Sequence, residues 1–77
     1  MHALLIVRQL SGAQRRQLRE SAGLSLRELA AEVGCTHGAI VGWENGAKPH
    51  GAIGVRYGVT LALVTLENFA REAVVCA

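Results

Sequence analysis

Residues 25–46 read SLRELAAEVGCTHGAIVGWENG. Ser25 is followed three residues on by Glu28. This is the Ser-x-x-Glu capping box, in which each side chain takes up a free backbone N–H at a helix start. Leu26, Leu29, Ala30 and Val33 then recur at spacings of three and four, which puts one apolar stripe on a short helix. Gly34 stops it, because glycine accepts the left-handed backbone that ends helices. Thr36 is a fresh N-cap. Ile40 and Trp43 form the inward face of a second helix, and Asn45-Gly46 ends it. Two helices of about eight to ten residues joined by a turn of about three form a helix-turn-helix. Ala30 suits a close helix approach, and Cys35 is a small apolar residue able to pack inward.

The stretch resembles the Cro/CI-type (XRE family) DNA-binding helix-turn-helix. The residues that carry the likeness are Leu29-Ala30, Val33-Gly34, Thr36, Ile40 and Trp43-Glu44-Asn45-Gly46, with LRESAGLS at residues 18–25 leading in. The likeness covers roughly residues 11–60. It implies an all-α, compact four- to five-helix domain with its helix-turn-helix at 25–46, of a small phage Cro- or repressor-like kind. It also implies a structural ion pair between Arg19 and Glu44, and phosphate contacts by Asn45 and Lys48. The chain departs from the family in one place. The residue after the Ser25 cap is often a phosphate-holding glutamine there, and here it is Leu26. Backbone N–H groups at that helix end remain, with Arg27 as the substitute.

Composition agrees with one helical domain over residues 1–77. The chain is 51% hydrophobic and has one proline, which favours a folded helical chain over disorder. A core of this size is marginal alone, so dimerisation would help, and no separate effector domain is expected. The net charge is +2. Arg8, Arg15, Arg16, Arg19, Arg27 and Lys48 outweigh Glu20, Glu28, Glu32 and Glu44 in residues 1–50, whereas Arg56 and Arg71 balance Glu67 and Glu72. The excess lies with the helix-turn-helix, and by itself it is too small to establish a polyanion partner. Cys35 and Cys76 make no disulfide framework, so a reduced, cytoplasmic setting is expected. No apolar run approaches membrane-spanning length, and Leu4–Val7 is too short for a signal-peptide core.

Outside the motif, residues 3–8 read as a short strand or arm, with one more turn of helix as the alternative. A first helix begins at Ser11, capped with Gln14, and runs to about Ala22 before Gly23. Leu18 and Ala22 face inward, and Arg15, Arg16 and Gln17 face out. Residues 47–51, with Pro49, form a loop. Helices over about 51–58 and 60–74 follow, broken at Gly58 and restarted at Thr60. One long helix is the alternative. Ile53, Tyr57, Leu61 and Val64 share a face. The last segment is apolar nearly all round, through Leu61, Ala62, Leu63, Val64, Leu66, Phe69, Ala70, Ala73 and Val74. This predicts self-association, with residues 1–10 and 60–77 as dimerisation elements. The alternative is that the N-terminal arm covers this surface.

A recognition helix puts its N-terminal residues at base edges. The candidates for base contact are His37, Gly38 and Ala39, then Val41 and Gly42. His37 is the one strong donor and acceptor, and Ala39 and Val41 suit thymine methyls. Gly38 and Gly42 cost up to about 1 kcal/mol each against alanine, which suggests that a close backbone approach is needed there. The phosphate candidates are Thr36, Arg27, Asn45, Lys48, Arg15 and Arg16. Leu29, Ala30, Val33, Ile40 and Trp43 are core. Cys35 and His37 have no second ligand pair at zinc spacing, so no metal is expected. The chain has no Asp, no paired loop carboxylates and no phosphate loop after a strand, so no catalysis, cofactor or small-molecule ligand is expected. The reading is a DNA-binding repressor, a homodimer on a palindromic operator. An antitoxin with a toxin partner, or a protein-binding adaptor without DNA binding, are the alternatives.

Overall fold

The computed structural model describes residues 9–76. Among these residues four helices follow one another: α1 (Gly12–Ser21), α2 (Leu26–Val33), α3 (His37–Glu44) and α4 (Gly51–Cys76). No strand occurs among the described residues, and the strand or arm expected at residues 3–8 lies outside them. No described helix is long and apolar enough to cross a membrane.

The helix starts form as their sequences dictate. The Ser11 hydroxyl accepts from the Gln14 N–H at 3.1 Å while the Gln14 side chain accepts from the Ser11 N–H at 2.8 Å. Ser25 and Glu28 repeat the exchange at 3.1 and 2.9 Å. Thr36 accepts from the Ala39 N–H at 3.2 Å. Gly34 ends α2 at φ +82°, where its N–H reaches the Ala30 carbonyl at 2.8 Å. A side chain there would be strained by that backbone and would also meet the Arg56 guanidinium.

The core is Leu29, Ala30 and Val33 of α2, Ile40 and Trp43 of α3, and Tyr57 and Leu61 of α4. Trp43 and Tyr57 stack with ring centroids 4.5 Å apart. Leu29 and Ile40 are fully buried, and truncating either to alanine would cost about 2–5 kcal/mol. Ile53 and Val64 pack at the edge of the same cluster.

The expected break at Gly58 does not occur: α4 runs unbroken from Gly51 to Cys76. Gly58 is buried between two core residues, Tyr57 and Leu61, and packing of that face outweighs the helix penalty of one glycine. Thr60 starts no new helix, and Thr65 donates its hydroxyl to the Leu61 carbonyl one turn back at 2.7 Å.

Candidate nucleic-acid interface

The interface is built on α3, whose position is fixed from below by two arginines of α1. Arg19 donates from Nε and Nη2 to the two carboxylate oxygens of Glu44 at 2.6 and 3.1 Å, and from Nη1 to the Leu24 carbonyl at 2.8 Å. Both partners of this pair are buried, with side chains 9 and 7% exposed. The hydrogen bond to Glu44 raises the guanidinium's pKa further against the cost of burial. The pair joins the last turn of α1 to the end of α3, as the resemblance implied.

Arg15 departs from expectation. It does not face solvent but is 2% exposed. Its Nη1 donates to the carbonyls of Trp43 at 2.6 Å and Ala47 at 3.1 Å, and its Nη2 to that of Leu10 at 2.9 Å. A cation at the C-terminal carbonyls of α3 complements the helix dipole, and a guanidinium so committed is not on the outer surface. Arg15 and Arg19 are four residues apart on one helix, so the face that buries one buries the other. That spacing was the available signal. Gly12, one turn before Arg15, was also missed. A Cβ there would strike the Glu44 carbonyl group, whose carbon would be 2.7 Å away, so α1 and α3 meet there backbone to backbone.

The outer side of α3 is open. His37 and Gly38 are exposed, and Val41 and Gly42 are partly so. A Cβ on Gly38 or Gly42 would meet nothing within 4 Å. Neither glycine is therefore needed by the packing of the described residues. Ala39 does not share this face as expected. It lies against the core cluster, because its position is next to Ile40 and one turn before Trp43.

Arg16, Leu26, Val41 and Asn45 border an open cavity of about 220 Å³ whose other lining is Arg19 and Glu44. Three candidate contact residues are thus gathered over the ion pair. Arg16 is exposed and paired with Glu20 at 3.3 Å. Such a surface pair is worth about 0–1 kcal/mol, so it holds Arg16 only weakly. Thr36, Arg27, Asn45 and Lys48 are also exposed. Cys35 is half-buried behind Thr36, and burial raises its thiol pKa. Among the described residues no group of three or more His, Cys, Asp or Glu side chains could hold a metal ion.

Comparison with known proteins agrees with the helix-turn-helix fold. The family described as helix-turn-helix domain matches the chain over residues 12–74. No curated protein and no solved structure matches it.

Proposed function

We propose, for a chain that belongs to the helix-turn-helix domain family, that it is a sequence-specific regulator of the Cro/CI (XRE) kind that binds double-stranded DNA. α3 enters the major groove, as the second helix of such a motif does. His37 reads a base edge, Val41 contacts a thymine methyl, and Gly38 and Gly42 let the helix backbone lie close to the base pairs. Thr36, Arg27, Asn45, Lys48 and Arg16 hold phosphates, which fixes register without carrying sequence information. The chain acts as a homodimer on a two-fold symmetric operator with α3 helices about 34 Å apart. It represses by occupying the promoter, as a small phage repressor would.

One observation carries this reading: the outer side of α3 is uncovered by the described residues and slim at two glycines. Selection of bound sites from a random duplex pool tests it. A palindromic consensus is the expected result. Recovery of no enriched sequence, with no shift of any genomic fragment, would leave a protein-binding adaptor as the better account.

A further inference from the structure

α4 carries an apolar stripe on the side turned away from the core. Tyr57 and Leu61 are fully buried, whereas Val59, Leu63, Leu66 and Phe69 are 41, 54, 63 and 69% exposed. Ala62 and Ala70 are exposed on that same side, and Val55 is half-buried. The stripe reads partly alike in either direction about the Ala62–Leu63 bond, although Phe69, its most exposed residue, has Arg56 and no apolar residue at the matching position. Val59 and Leu66 stand equally far from that bond, and so do Val55 and Ala70.

The flanking charges come near this symmetry, with Arg56 standing two residues farther from the bond than Glu67. Arg56 and Glu67 are both exposed and eleven residues apart. Eleven residues are close to three helical turns, so both lie on one flank of the stripe, roughly 16 Å apart along the axis. Neither belongs to an ion pair among the described residues. Beside Glu67, a cavity of about 290 Å³ lined by Leu24, Glu32, Thr60, Leu63, Val64 and Glu67 has two carboxylates and no cation.

We propose that a second copy of this chain covers the stripe, its α4 antiparallel to the first, with the two-fold axis at the Ala62–Leu63 bond. A self-complementary patch of this kind closes on itself as a dimer. In that register Leu66 packs on Val59 of the second copy and Ala62 lets the helices approach closely. Arg56 comes within roughly 3 Å, measured along the axis, of Glu67 of the second copy. The axis repeats both contacts, so two Arg56–Glu67 pairs flank the apolar seam. The opposite, parallel arrangement would place the two copies of Arg56, and those of Glu67, on opposite sides of the seam, with no such pair across it. This inference rests on the homodimer reading above and specifies its surface and register.

Sedimentation equilibrium of the full chain tests it, with helix content checked by circular dichroism. The parent chain sediments as a dimer. R56E and E67R each weaken that dimer about tenfold or more, because each sets two pairs of like charges together. The double variant R56E/E67R restores the pairs with signs exchanged and returns the dimer to within about threefold of the parent. A parent that stays monomeric would overturn the homodimer reading itself and leave the stripe to another segment, such as residues 1–10. A dimer indifferent to both single reversals, or one the double variant does not rescue, would overturn this register alone.

Discussion

Arg19 of α1 and Glu44 of α3 form a two-point ion pair, at 2.6 and 3.1 Å, that is almost wholly shielded from water. Removing one partner strands a buried charge. Arg19→Ala or Glu44→Ala should each cost about 3–5 kcal/mol. Replacing both with apolar residues of similar volume, as in Arg19→Met with Glu44→Leu, should cost much less, because no charge is left behind. Thermal melts of the three variants check this. Single variants melting within a degree or two of the parent would show that the pair is not needed.

Two further residues of the candidate interface separate into different roles. Lys48 is exposed in the loop after α3. Lys48→Ala should weaken binding to all duplexes alike and flatten the dependence of log K on log salt by about one unit. His37→Ala should instead relax the preference at one base position, at about 1–3 kcal/mol. Titrations on specific and random duplexes at several salt concentrations distinguish the two. Equal losses on both duplexes for His37→Ala would count against base readout.

Tyr57 gives a pH dependence. Its side chain is fully buried, and burial pushes the phenol up to about 12, above roughly 10 in an unfolded chain. The folded state thus keeps its proton where the unfolded state has lost it. The contribution is fully present below about pH 10 and is lost as pH rises toward 12. Among the described residues the phenol oxygen has no hydrogen-bond partner. Tyr57→Phe should therefore be neutral or stabilising at pH 7, and its advantage should grow between pH 10 and 12. Parallel urea titrations across that range read the difference. A constant difference would contradict the assignment.

Much of the fold could be read from local chemistry. The caps at Ser11, Ser25 and Thr36 and the stops at Gly23 and Gly34 depend on residues within a few positions of each other. The core at Leu29, Val33, Ile40 and Trp43 follows from helical spacing. Two of the misreadings have a common cause. Arg15 is polar and Gly58 is a poor helix former, yet both are buried. Their states are set by partners distant in sequence: the Trp43 and Ala47 carbonyls for Arg15, and the core beside Tyr57 and Leu61 for Gly58. Gly12 shows the same limit, since only the arrival of the Glu44 backbone gives it a reason. At the interface, the identity of exposed residues was legible, but the inward turn of Ala39 needed the packed helix.

The glycines of α3 offer the sharpest test. A methyl added at Gly38 or Gly42 meets nothing among the described residues, so each substitution to alanine should stabilise the fold by up to about 1 kcal/mol. If that side lies against base pairs, the same methyls must obstruct binding. The decisive measurement is the stability of the variant carrying both Gly38→Ala and Gly42→Ala, set beside its affinity for the selected operator. A higher melting temperature with affinity reduced about tenfold or more is the predicted result. A variant that is more stable and binds the operator as tightly as the parent would contradict the placement of α3 in the groove.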